Sequence, residues 1–166
     1  MEHWHIEVSS KCSLRCPRCT RQEVPDGLIN TDLSLDWFEK NFFELLPHVK
    51  KITFCGDDGD PIYARNFLEI IRRIKSINPF IQIVIVTNGS YKTSDWWAEL
   101  SSLLGSADHI HFSLDGWDQN SNEIYRVNSD WNSIIAGVKA LEKNPVRVFT
   151  CLLYTSPSPR DATLSR

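Results

Sequence analysis

Short apolar, β-branched runs alternate with stretches of helical spacing along almost the whole chain, and few architectures accept that alternation. The strand-like runs are residues 5–9, 51–55, 81–87, 109–114 and 146–149. Run 81–87 is nearly continuous in β-branched residues, as expected of a parallel strand covered on both faces. Between the runs, Ser34 is placed to cap a helix carrying Trp37, Phe38, Phe42, Leu45 and Leu46, with Pro47 as its stop. Pro61 opens a helix to about residue 77, with Phe67, Ile70, Ile71 and Ile74 on one face. Ser94 caps a helix through 104, and residues 131–143 form another. Such alternation implies βαβ units and a parallel sheet. A chain of 166 residues, 42% of them hydrophobic, can bury one real core, and no internal repeat or linker interrupts residues 1–150.

Sites in parallel α/β proteins form at the carboxyl ends of strands. Four such ends carry unusual residues here. After the first strand comes Lys11-Cys-Ser-Leu-Arg-Cys-Pro-Arg-Cys-Thr20, with Cys12, Cys16 and Cys19 spaced C-x3-C-x2-C. Three thiolates on one loop can hold one face of an iron–sulfur cube and leave its fourth iron without a protein ligand, whereas ordinary four-iron ferredoxins use four cysteines per cluster. Zinc bound by the three cysteines and His3 or His5 is the alternative, although no second cysteine knuckle accompanies it. After the second strand comes Gly56-Asp57-Asp58-Gly59-Asp60-Pro61. Its glycines let a backbone approach a ligand, and an acidic residue there can pair with an ammonium group; taken alone it is also an ordinary acidic turn. Thr87-Asn88-Gly89 ends the third strand and Ser113-Leu114-Asp115-Gly116 the fourth, where Ser113 and Asp115 share one face. Cys55 reads as a buried strand residue that packs like a small hydrophobe. His109 and His111 face the side opposite Ile110 and Phe112.

The cysteine spacing resembles the cluster loop of the radical S-adenosylmethionine (SAM) enzymes, and the other three strand ends follow in the same order. Asp58-Gly59-Asp60-Pro61 is similar to the Gly-Gly-Glu-Pro that binds the methionyl amino group of SAM, with aspartate in place of the first glycine and of the glutamate. Thr87-Asn88-Gly89 resembles a Thr-Asn-Gly found at the matching point. Ser113-Leu114-Asp115-Gly116 resembles the Ser-hydrophobic-Asp-Gly of members that carry a C-terminal SPASM-type domain with auxiliary clusters. Arg126, ahead of the next helix, matches an arginine that pairs with the SAM carboxylate. Arg18 stands where many members place an aromatic residue.

The resemblance implies an α/β fold, a partial (βα)6 radical SAM barrel of about four and a half βα units. It implies a [4Fe–4S] cluster on Cys12, Cys16 and Cys19, with SAM contacted by Gly59, Asp60, Asn88, Ser113, Asp115 and Arg126. The implied activity is reductive cleavage of SAM to a 5′-deoxyadenosyl radical that abstracts hydrogen from a substrate. The fourth motif implies a peptide or protein substrate, and a flavodoxin- or ferredoxin-type reducing partner would complete the system. A small-molecule substrate, as for deazapurine synthases or activating enzymes, and a non-catalytic zinc or iron–sulfur module stay open.

A formal net charge of −3 argues against an electrostatic nucleic-acid binder. No apolar leader opens the chain and no run is long enough for a bilayer, so a cytoplasmic place without membrane contact is expected. Residues 151–166 break the pattern of the chain and match a translated transposase sequencing adapter, residue for residue from Cys151 to Asp161. Residues 1–150 are therefore expected to form an incomplete core domain and 151–166 a non-native tail; a genuine Pro/Ser-rich terminus is the alternative. An uninterrupted read of the source gene across codon 150 is expected to continue into further βα units. A read that reproduces Cys151 to Arg166 followed by a stop codon would refute the adapter.

Overall fold

The computed structural model describes residues 2–152. Strands β1 (His3–Ile6), β2 (Lys51–Phe54), β3 (Gln82–Thr87), β4 (His109–Leu114) and β5 (Arg147–Leu152) form one sheet in the order β1-β2-β3-β4-β5. Every pairing is parallel. Because sequence neighbours are also spatial neighbours, the order never reverses, which is the ordering of a (βα) barrel wall and not of a doubly wound sheet. The expected partial barrel is therefore the observed architecture. All carboxyl ends lie on one rim.

The helices are α1 (Thr20–Glu23), α2 (Leu35–Phe42), α3 (Phe67–Ile77), α4 (Ser94–Leu103), α5 (Gln119–Glu123) and α6 (Trp131–Leu141). Trp4, Ile6, Ile52, Phe54, Ile83, Ile85, Ile110 and Phe112 point to one side of the sheet. There they merge with Phe38 of α2, Phe67, Ile70, Ile71 and Ile74 of α3, Trp97 and Leu100 of α4 and Ile134 of α6 into one core. The other face carries His3, His5, Thr53, Val84, His109 and His111, and most of these are exposed or half-buried. The continuous apolar run at 81–87 is thus sealed on its Ile83 and Ile85 side, while Val86 on the opposite side is only half-buried.

Several element ends depart from expectation. The first strand stops at Ile6 because Val8 and Ser9 turn to meet the segment at 31–33, through Leu33 N to Val8 O at 2.8 Å and a bridge from Ser9 to Asp32. Ser34 caps α2 as expected, but the chain then tightens into a 3-10 segment, Phe43–His48, that accommodates Pro47. Pro61 opens only the 3-10 turn Pro61–Tyr63; Ala64 is extended, and α3 starts afresh at Phe67. Thr93, not Ser94, caps α4, accepting from Trp97's neighbour Trp96 N at 3.2 Å. Helix α5 is absent from the sequence reading because it has no apolar stripe; it rests on a capping box between Asp118 and Ser121. Strand β5 runs two residues past 150, and the tail beyond Leu152 lies outside the described residues. Among the described residues no helix is long and apolar enough to cross a membrane.

The rim opposite the cysteines is fixed by Asp108, whose side chain is 1% exposed. It accepts from Lys75 Nζ at 2.8 Å, from Ile83 N at 2.7 Å and from Gly105 N at 2.7 Å, joining α3, β3 and the approach to β4. Asp108→Ala would strand a half-buried ammonium and two amides. It is expected to cost about 3–5 kcal/mol in urea unfolding; a loss below 1 kcal/mol would show that the junction is not structural.

Candidate functional site

The carboxyl rim encloses a cavity of about 140 Å³ lined by Cys12, Cys16 and Cys19 together with Gly59, Asp60, Asn88, Ser113 and Arg126. Eight of the nine residues singled out from the sequence thus meet at one place, although they come from four different strand ends. Wider grooves of about 530–550 Å³ open beside β1 and along α6, and neither is lined by the cysteine loop.

Bonds to the segment at 127–128 hold the cysteine loop. Arg15 N donates to Val127 O at 3.0 Å, and Asn128 Nδ2 donates to Ser13 O at 2.7 Å. Cys19 precedes α1 and Cys19 N donates to Cys16 O at 3.0 Å, so the last two cysteines are turned onto one side. Burial pushes the Cys12 thiol up to about 11, and burial likewise raises Cys16 against the opposing pull of Arg126. Thiols in this setting become thiolates once a metal supplies positive charge, since bound cysteine is deprotonated.

The donor set separates a cluster from a lone zinc ion. Among the described residues no three His, Cys, Asp or Glu side chains converge on a point that would hold a single metal ion, while the three sulfurs do line one cavity. His3 instead bonds Thr53 Oγ1 at 2.9 Å, and His5 Nδ1 lies 3.8 Å from Cys55 Sγ; neither lines the cysteine cavity. The alternative of a zinc site completed by His3 or His5 is therefore not supported by their placement. Three soft thiolates around a cavity wider than one ion fit an iron–sulfur cluster with an open iron.

The loop at 56–60 is stitched in place through its backbone. Glu7 Oε1 accepts from Asp58 N and Gly59 N, both at 2.8 Å. Arg21 Nη1 donates to Asp58 O at 2.7 Å and also to Ser10 O. Asp60 N donates to Lys11 O at 2.9 Å. Gly59 therefore lies flat on the backbone of Ser9 and Ser10, where any Cβ would overlap the Ser9 carbonyl. Neither Glu7 nor Arg21 was singled out from sequence; their partners are 51 and 37 residues away.

Asp60 lines the cavity with its oxygens engaged inside the loop, and Asp115 stands behind it. Asp60, 5% exposed, accepts from Thr87 Oγ1 at 2.8 Å, from Asn88 N and Asn88 Nδ2 at 2.6 Å each, and from Ile62 N at 3.2 Å. Burial pushes its carboxyl up to about 6, against the pull of those donors. All four contacts are internal, so the shorter side chain serves the loop. Asp115 does not line the cavity. Its side chain has no exposed surface; it pairs with Arg126 Nε at 2.6 Å, and Asn122 Oδ1 holds its backbone amide at 2.9 Å. Ser113 and Arg126 do face the cavity, and so does Cys55, which is half-buried and not the sealed strand residue that was expected. His109 and His111 sit lower on the open sheet face, packed against Phe149. Arg18 is exposed.

Comparison with known proteins follows the same outline. A family model described as the Radical SAM superfamily matches residues 6–158. The tungsten-containing aldehyde ferredoxin oxidoreductase cofactor-modifying protein of Pyrococcus furiosus is 30% identical over 84% of this chain and 36% of its own length. The GTP 3′,8-cyclase of Limosilactobacillus fermentum is 27% identical over 82% of this chain and 40% of its own length. The chain thus spans well under half of these relatives. In fold it is similar to native anSMEcpe with bound AdoMet, at a TM-score of 0.68 and 16% identity, covering 91% of this chain and 44% of that one. It is likewise similar to Streptococcus suis SuiB bound to S-adenosylmethionine, at a TM-score of 0.66 and 16% identity, covering 98% and 34%.

Replacing Gly59 with alanine is expected to lift the loop off Ser9 and to lower the iron and sulfide taken up in anaerobic reconstitution by at least about tenfold. Uptake equal to the parent chain would show that the close approach is not required.

Proposed function

The chain belongs to the radical SAM superfamily, and we propose that it forms the cluster- and SAM-binding part of an enzyme that generates a 5′-deoxyadenosyl radical. The observation that carries this reading is the gathering of Cys12, Cys16 and Cys19 around one cavity with Gly59, Asn88, Ser113 and Arg126. When bound, the [4Fe–4S] cluster and SAM supply one-electron cleavage of a sulfonium C–S bond and a radical able to abstract hydrogen; the rest of the task is orientation and shielding by the protein.

In this reading the three cysteines hold the cluster. Gly59 brings backbone close to the methionyl end of SAM because it lacks a side chain. Arg126, already charge-paired on one edge of its guanidinium by Asp115, offers the remaining N–H groups to the carboxylate of SAM. Asn88 and Ser113 supply further polar contacts from the ends of β3 and β4. Asp60 and Asp115 act through Asn88 and Arg126. The half-exposed histidine face of the sheet, below the cavity, is the surface a substrate would meet.

The substrate we favour is a peptide or protein, on the strength of Ser113-Leu114-Asp115-Gly116. A small molecule is the second reading, supported by the GTP 3′,8-cyclases among the relatives. The enzyme would work in the cytoplasm, where thiols stay reduced, with a flavodoxin- or ferredoxin-type electron donor.

Anaerobic reconstitution followed by incubation with SAM and a strong reductant tests the core of the proposal. The expected products are a loaded iron–sulfur protein and 5′-deoxyadenosine, with Cys16→Ala losing both. Zinc in place of iron and sulfide, or 5′-deoxyadenosine formed undiminished by Cys16→Ala, would overturn it.

A further inference from the structure

Two of the three cysteine sulfurs are met by a nitrogen donor that is itself held by a buried carboxylate. At the end of β3, Asn88 Nδ2 lies 2.6 Å from Asp60 Oδ2 and 3.5 Å from Cys12 Sγ. Beyond β4, Arg126 Nε lies 2.6 Å from Asp115 Oδ2, and Nη1 of the same guanidinium lies 4.0 Å from Cys16 Sγ. The order is the same on both sides of the cavity: carboxylate, nitrogen, sulfur. The two carboxylates come from different βα loops, so the likeness does not follow from one local motif. Among the described residues no side chain donates to Cys19.

Asp115 is placed at a cost that packing alone does not explain, while Asp60 is bonded on both oxygens within its own junction. Asp60 sits 5% exposed beside a cavity it barely shares with solvent. Asp115 is fully enclosed and its Oδ1 has no hydrogen-bond partner in the structure. Buried acceptors left unpaired are rare and ask for a reason. Holding a donor in a fixed direction is such a reason, because the partners that orient a ligand's surroundings tune the metal as strongly as the ligands do.

We propose that Asp60 and Asp115 are positioning residues that press Asn88 and Arg126 against the thiolates of Cys12 and Cys16, raising the reduction potential of the cluster bound there and slowing its loss. The inference rests on the cluster reading above. The physical argument is one of charge. Reduction adds an electron to an already anionic cluster, and N–H donors or a guanidinium at its sulfurs stabilise the reduced form. A carboxylate acting only through space would do the reverse, so its removal alone would raise the potential. Removing a carboxylate that works by holding a donor lowers it.

The opposed signs make the test decisive. The full chain and its Asp60→Asn, Asp115→Asn and Arg126→Lys variants are reconstituted anaerobically with iron and sulfide, with Glu44→Gln as an exposed charge control. Circular dichroism confirms folding, dye-mediated titration gives the midpoint potential, and a ferrous chelator gives the rate of iron loss. The expected result is a more negative potential in all three variants and iron loss faster by about 10–100-fold, with the control unchanged. Should Asp60→Asn fail to fold, the other two decide, since Arg126 is partly exposed and Asp115→Asn keeps its shape. A potential that rises or stays put in folded, loaded variants overturns this inference and leaves the proposed function intact. A parent chain that takes up no iron and sulfide overturns both.

Discussion

A carboxylate removed from water must be met by donors or give up its charge, and Asp60 is met by four. Those donors belong to the turn after β2 and to the end of β3, while the Asp60 amide reaches back to Lys11 in the cysteine loop. One residue, through its side chain and its amide together, therefore sets the relative positions of three strand ends. Opening this junction would leave a buried carboxylate short of its donors, which holds the turn after β2 against the end of β3. Parallel pairing supplies the other half of the constraint. Strands laid in sequence order with all carboxyl ends on one rim leave the loops nowhere else to meet.

Opposite that junction, Asp108 does comparable work on the amino-terminal rim, where it ties Lys75, Ile83 and Gly105 together. The sheet is thus pinned at both rims by buried carboxylates and filled between them by one apolar core. Trp97 illustrates how tightly that core is closed. Its ring lies where a Cβ on Gly137 would come within 2.8 Å, so α4 and α6 approach across a bare helix position. The segment between β4 and α6 that carries Arg126 is held separately, by Arg126 Nε on Asp115 and Arg126 N on Asn122 O.

Much of this was legible in the sequence. The cysteine loop, Gly59, Asn88 and Ser113 lie at or shortly after strand ends that the apolar runs reveal, whereas Arg126, beyond α5, was legible only through the family resemblance. Glu7 and Arg21 were not legible. The contacts that tie them to the loop at 56–60 are backbone groups of Asp58 and Gly59, 37 to 52 residues distant, which come within reach through the register of β1 against β2. Asp60 and Asp115 were legible as site candidates, but their bonds to Thr87, Asn88 and Arg126 were not. Which way a carboxylate turns depends on the nearest donor in three dimensions, and sequence carries no such distance. Cys55 was taken for a core residue because a strand residue beside apolar neighbours looks buried until the open face of the sheet is seen. Helix starts slipped by one residue at Thr93 and by six at Phe67, for the local reason that a hydroxyl cap or an extended Ala64 decides the first turn.

The loop at 56–60 is anchored by what its backbone offers: amides to Glu7, a carbonyl to Arg21, and a glycine that fits beneath Ser9. The side chains of Asp57 and Asp58 take no part in that anchoring, yet both border the cavity. Anchoring and cavity lining therefore fall to different atoms of the same five residues. Drift at 57 and 58 can retune what the rim admits while the loop keeps its path, which gives a lineage a place to change preference without first surviving a collapse of the fold.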